Sequence, residues 1–322
     1  SALLQNCDMH ADIALLPPTA DMWSLIGMQN EPFPSVLHVD YLSLVWEAIA
    51  KNGSGCDYVS ERIICDAEVK EKCLCYGPRK YHSLFLAGVE SLSPESAGKL
   101  LGFIRGGGRV FCIDKIPSKS TGWKDNEKND ASVMQFVEQM KAYPDRFISL
   151  KKPENDFIGW YRTVQERSRI DRWVTIEKPD PFLMQVRYTG DDNAEYIFVV
   201  NSHLHNSQKT RIRFSKALTA RHNCSVWIPD TGERKRVIYD GDGGLNLDIG
   251  SAESLLFAFD REKPEEEWTP LPAEGADMLA IDSDWVAEFR HCRDGSVREI
   301  RVDRLTDLKE MPETVSFSGT VI

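Results

Sequence analysis

Two acidic side chains stand where a cleft enzyme would carry an acid and a base. Glu61 directly follows the apolar run Cys56–Ser60, and Glu90 comes two residues after His82–Gly88. Carboxylates on either side of a cleft can protonate a leaving group and activate water. His38, in the first turn of a predicted helix, is a third titratable candidate. Trp23 and Trp123 lie in polar loops, where an indole face can stack on a sugar ring. Each of these residues also has a plain reading. With 50 aspartates and glutamates in the chain, some fall near strand ends by chance, and a loop tryptophan often anchors its own loop. No catalytic role follows from the pattern alone.

Other chemistries lack their residues. There is no nucleophile elbow, P-loop, HExxH or dinucleotide fingerprint. Gly106-Gly107-Gly108 follows a helix instead of opening one, so it is a helix stop. Pro17-Pro18 stands where a flavin phosphate loop would need amide donors, which proline cannot supply. No cofactor is expected. His203 and His205 can clamp a metal only with a third ligand, and none is evident, so they read as a polar turn. Cys65, Cys73 and Cys75 are close in sequence, but Cys-x-Cys without a second pair is a weak zinc signal. No metal is expected either.

Composition narrows the classes further. The 322 residues carry a net charge of −11, which argues against a nucleic-acid face. The basic run Arg234-Lys235-Arg236 reads as a solvated strand face. Apolar content of 42% can bury a sizeable core, but no apolar run is long enough for a membrane span. The amino terminus has no signal-peptide pattern. Eight cysteines in so long a chain do not make a disulfide scaffold, and the compartment stays open on this ground.

The elements that would position these groups fall into two textures. In the first half, Asp12–Leu16, Cys56–Ser60, His82–Gly88, Arg109–Asp114 and Phe147–Leu150 are short and apolar on both faces. Such runs predict parallel strands covered on both sides. Helices are expected over Ser35–Lys51, from the Ser93-Pro94 cap to Gly106, and over Ala131–Ala142. This is a flavodoxin-like doubly wound α/β sheet spanning 1–152. An insertion between Cys65 and Tyr81 is expected to pair Ile63–Asp66 with Lys72–Tyr76 as a hairpin. A connecting helix fills 153–172.

From Trp173 the alternation has period two. Strands are predicted at Trp173–Glu177, Phe182–Tyr188, Tyr196–Asn201, Thr210–Phe214, Ser225–Ile228, Val237–Tyr239, Leu245–Ile249 and Leu255–Phe259. Regular short strands between turn clusters predict an antiparallel β-sandwich over 173–261. An acidic, proline-bearing linker covers 262–276. In 277–322, Trp285–His291 and Val297–Val302 alternate around Asp294-Gly295, a hairpin signal, and Val315–Ile322 alternates as a last strand. That segment is expected to be a truncated β-sandwich. The chain opens on Leu3-Leu4-Gln5-Asn6, which reads as the tail of a helix, and closes inside a strand, so it is expected to be an internal piece of a larger protein.

Three stretches bring a family into view. They are Ala11-Asp12-Ile13-Ala14-Leu15-Leu16-Pro17-Pro18, Tyr41 to Glu47 with Val45-Trp46-Glu47-Ala48-Ile49, and Gly55-Cys56-Asp57-Tyr58-Val59-Ser60-Glu61. With the order of modules, they resemble the flavodoxin-like region after the catalytic barrel of family-106-type α-L-rhamnosidases. The similarity to the trimerisation domain of family-42 β-galactosidases is looser. Phe317-Ser318-Gly319-Thr320-Val321-Ile322 resembles an early strand of a galactose-binding-like sandwich. In such enzymes the catalytic glutamates reside on the barrel, which this chain lacks, so no catalytic residue is carried over. The resemblance implies an accessory region whose partner is the catalytic barrel of the parent chain. It implies an exported parent, periplasmic or extracellular, that acts on polysaccharide. Homo-oligomerisation is compatible with it. Two alternatives stay open: a carbohydrate-active site in the crevice of the α/β domain, and a scaffold module that binds a glycan or a protein.

Overall fold

The computed structural model describes residues 5–25, 39–190, 193–228, 231–241, 243–269, 285–302 and 307–322. The chain divides into two compact units, Ser1–Ala273 and Glu274–Ile322.

The first unit is built on a five-stranded sheet in the order Cys56–Tyr58, Ile13–Leu16, Ser83–Ala87, Arg109–Ile113, Phe147–Leu150. Every pairing is parallel, and the chain order 2-1-3-4-5 is that of a flavodoxin-like sheet. Strand alternation sorts the side chains between two covered faces. Ala14, Leu16, Leu84, Leu86, Val110 and Cys112 pack with the helices Pro94–Arg105 and Asn126–Lys141. Ile13, Leu15, Phe85, Ala87, Phe111 and Ile113 pack with Leu42–Lys51 and Phe157–Arg167. Phe85 and Phe111 stack there with centroids 4.5 Å apart. The helix expected as a connector thus seals one face of the sheet with Tyr161, which is fully buried.

Two expectations in this half need correction. Ile63–Asp66 is not a strand: Glu61–Asp66 is a helix, because the Ser60 hydroxyl accepts from the Ile63 amide and caps its first turn. The insertion is a three-stranded meander, Glu68–Lys70, Cys73–Tyr76 and Arg79–Tyr81, with Gly77-Pro78 as a turn inside it. The long first helix is seen from Leu42, and Ser35–His38 lie outside the described residues.

An antiparallel sandwich follows. One sheet runs Cys7–Met9, Leu183–Gly190, Glu195–Asn201, Ser254–Asp260, Asn223–Trp227, Arg234–Arg236. The other runs Val174–Ile176, Gln208–Phe214, Gly244–Ile249. Ile197, Val199, Ile212, Ile249, Phe257 and Phe259 fill the space between the sheets. The expected strand at Val237–Tyr239 lies instead at Arg234–Arg236, which pairs with Ser225–Trp227. Its basic side chains meet the acidic stretch that follows the last strand: Arg234 with Glu262, Lys235 with Glu266 and Arg236 with Glu267. Trp268 packs on the sandwich core beside Phe257.

The amino-terminal strand Cys7–Met9 pairs with Tyr188–Gly190, so the chain begins in the antiparallel sheet and crosses to the parallel one at His10-Ala11-Asp12. Buried Gln185 donates to the carbonyls of Ala50 and Ser54, at 3.0 and 3.1 Å. Gly53, with φ of +89°, lies at this junction: a Cβ there would stand 1.7 Å from the Val174 carbonyl oxygen, which only glycine avoids.

The second unit is a three-stranded antiparallel sheet in the order Val297–Val302, Trp285–His291, Gly319–Val321. The Asp294-Gly295 turn joins the first hairpin, with Gly295 at φ +66°. Phe289 is buried against Phe317, edge to face at 5.1 Å. The last strand is shorter than expected, since 312–316 are turn residues and the strand spans Gly319–Val321.

Candidate functional site

The loops after the parallel strands form one edge of the sheet, and most of the residues singled out above gather there. Glu61 opens the helix Glu61–Asp66, and its carboxylate accepts the Ser93 amide at 2.7 Å. Ser93 caps the next helix through its hydroxyl, which accepts from Ser96 at 3.1 Å. Glu61 is thereby tied into a helix start. Glu90 lies beyond Ser83–Ala87 and meets two ammonium groups, Lys119 at 2.6 Å and Lys115 at 3.1 Å. These bonds hold its carboxyl below the usual glutamate range.

The Glu90 loop is fixed on its other side as well. Asp21, in the short helix Thr19–Leu25, accepts the amides of Glu90 and Ser91 at 2.9 and 3.2 Å. The Glu90 carbonyl accepts the amides of Ser118 and Lys119. Asp130 then holds Ser120 through amide and hydroxyl, which keeps that carboxyl low too. The result is a zipped surface of carboxylates and lysines, each with a partner. Asp21, Lys115 and Lys119 were not singled out by sequence; lysines two and six residues beyond the buried strand Arg109–Ile113 were the available sign.

The two tryptophans stand clear of this network. Trp23 is 71% exposed on the short helix, and Trp123 is 95% exposed in the loop after Arg109–Ile113. His38 lies outside the described residues. His203 and His205 sit in a sandwich loop, where the His203 ring accepts the amides of His205 and Asn206 at 3.1 and 3.0 Å. Cys65 contacts the Ser96 hydroxyl, while Cys73 and Cys75 share a strand of the meander; all three are free thiols. Among the described residues no group of three or more His, Cys, Asp or Glu side chains is placed to hold a metal ion. Among them, too, no helix is long and apolar enough to cross a membrane.

Sequence reasoning looked only at the carboxyl ends of the strands. At the amino ends, Asp12 precedes Ile13–Leu16, and His82 precedes Ser83–Ala87. Their side chains face each other, with Asp12 Oδ2 3.5 Å from His82 Nε2. His10 is half-buried beside them, and desolvation together with the nearby Arg187 charge lowers its pKa to about 4. A polar residue immediately before two buried strands was the signal for this cluster.

No protein-family model and no curated protein sequence matches the chain. Solved structures do. A rhamnosidase from Novosphingobium sp. PP1Y superposes with a TM-score of 0.60 at 16% identity, over 99% of this chain and 29% of its own. The family-42 β-galactosidase Gan42B of G. stearothermophilus gives 0.49 at 12% identity, over 78% and 40%. A β-galactosidase from Bacillus circulans sp. alkalophilus gives 0.47 at 9% identity, over 79% and 42%. The chain therefore spans less than a third of the length of the rhamnosidase it matches. At this identity the likeness establishes a shared fold: α/β, then antiparallel β, over nearly the whole chain.

Proposed function

We propose that this chain is a non-catalytic region of a glycoside hydrolase of α-L-rhamnosidase type, which supports the catalytic barrel and walls its cleft. The observation that carries this reading is the state of the two carboxylates best placed for chemistry. A general acid needs a raised pKa and a free path to the leaving group. Glu90 is held low by Lys119 and Lys115, and Glu61 is engaged by the Ser93 amide. Both bonds order loops.

The exposed tryptophans fit the same role. Burying a large apolar side chain yields about 2 kcal/mol, so two indoles left in water on one edge suit a surface that meets something else. That partner is the barrel, or a sugar chain lying in its cleft. The rhamnosidase match supports this reading by its extent, since it covers all but 1% of this chain and only 29% of that enzyme.

The test is turnover of 4-nitrophenyl α-L-rhamnoside and β-D-galactoside by the purified chain. Release at the buffer rate is expected. Robust hydrolysis that disappears in Glu61→Gln or Glu90→Gln would overturn the proposal and place an active site in the α/β crevice.

A further inference from the structure

A cavity of about 400 Å³ opens at the amino edge of the parallel sheet, at the opposite end from Glu61 and Glu90. Its size is in the range of small-molecule sites. His10, Asp12 and His82 line it from the crossover and the strand starts. Trp173 and Ser215 line it from the sandwich, and Lys80 and Arg172 complete the polar wall.

Buried polar atoms are nearly always hydrogen-bonded, and the exceptions call for an explanation. Eleven buried side-chain atoms among the described residues lack a hydrogen-bond partner, and four of them belong to this wall: His10 Nε2, Ser215 Oγ, and Asp12 Oδ2 and His82 Nε2, which meet only as the 3.5 Å contact described above. Asp12 is only 4% exposed. Its Oδ1 accepts the Gly55 amide at 2.9 Å, so the carboxylate is oriented while Oδ2, 3.5 Å from His82 Nε2, accepts no hydrogen bond. The indole of Trp173 is also fixed, with the Arg187 guanidinium 3.5 Å from its ring centre and His10 against it edge to face. A site held this firmly is preorganised for a ligand.

The wall selects the ligand by its chemistry. Lys80 and Arg172 are balanced by Asp12 and Asp171, so a strongly charged ligand gains nothing net. A buried carboxylate wants hydroxyl donors, and Ser215 and the imidazoles offer both donors and acceptors. Trp173 and Ala217 supply apolar surface. We infer that this cavity binds a neutral sugar ring, with Asp12 Oδ2 and Ser215 Oγ bonding its hydroxyls and Trp173 meeting its C–H surface. The inference does not depend on the role proposed for the other edge.

The experiment titrates the full chain with L-rhamnose, D-galactose and D-glucose, using ligand-observed NMR and calorimetry. D-Glucuronate and D-glucosamine serve as charged probes. At least one neutral sugar is expected to bind saturably. Asp12→Asn and Ala217→Trp should each weaken it at least tenfold. Ala217 is exposed at the wall, so filling the cavity from there does not disturb a packed core, and circular dichroism checks the fold. The inference fails if no neutral sugar binds, if a charged probe binds more tightly than every neutral one, or if Ala217→Trp leaves the affinity unchanged.

Discussion

Replacing Gln185 with alanine should weaken the whole first unit, not the sandwich alone. The Gln185 amide bridges the antiparallel sheet to the end of the helix Leu42–Lys51, and it is 4% exposed. The Ala50 carbonyl keeps a second donor, the Gly53 amide at 3.1 Å, so losing that bond costs about 1 kcal/mol. The Ser54 carbonyl has no other donor among the described bonds; leaving it buried and unpaired costs about 1–3 kcal/mol. The sum is roughly 2–4 kcal/mol, a large share of a typical stability of about 5–15 kcal/mol. Urea unfolding followed by far-UV circular dichroism and by tryptophan fluorescence is the assay. The two signals should change together in both proteins, with the midpoint of the variant clearly lower. A loss under about 0.5 kcal/mol, or separate transitions for the α/β and sandwich parts of the parent protein, would refute the reasoning.

Three further outcomes are expected. Ser93→Ala removes the cap of Pro94–Arg105 and should cost about 1 kcal/mol in a thermal melt, while Ser93→Thr should cost little. The Glu90 carboxyl should titrate below the ordinary 4.5 in a carbon-detected NMR titration, and Lys119→Ala should move its midpoint upward. The sign follows from linkage: a carboxyl lowered on folding adds stability above its unfolded pKa, and that stability is lost as pH falls through the folded value. Phe289→Ala should remove about 3–5 kcal/mol from the small second unit, enough to expose the amides of 285–302 to hydrogen exchange while those of 83–113 stay protected.

The parallel sheet was legible because a strand buried on both faces must be apolar throughout, as Ile13–Leu16 and Ser83–Ala87 are. The Asp294-Gly295 hairpin was legible because its turn demands glycine at positive φ. Elsewhere local signals competed. Ile63-Ile64 looks like strand material, yet the Ser60 hydroxyl three residues upstream turns it into a helix. Arg234-Lys235-Arg236 has no apolar alternation, and its place at a sheet edge depends on Asp260, Glu262, Glu266 and Glu267 far along the chain. Cys7–Met9 is too short to announce itself and is fixed by pairing with residues some 180 positions later. At the candidate site, sequence placed Glu61 and Glu90 near strand ends but could not supply their partners. The Ser93 amide and the Lys119 ammonium reach them through loop geometry alone. The amino-edge cavity was invisible for a related reason: His10, Asp12, Trp173 and Ser215 meet only because the chain crosses between two sheets.

The proposal that this chain serves a larger glycoside hydrolase is tested most directly by the polypeptide that the cell makes. Capture with an antibody raised against residues 39–190, followed by intact mass measurement and peptide sequencing, gives its full extent. A polypeptide roughly three times as long is expected, in line with the 29% share of the rhamnosidase that this chain covers, with peptides before Ser1 that encode an eight-stranded parallel barrel carrying its own glutamate pair. A cellular polypeptide that starts at Ser1, or one whose additional sequence holds no such barrel, would contradict the proposal.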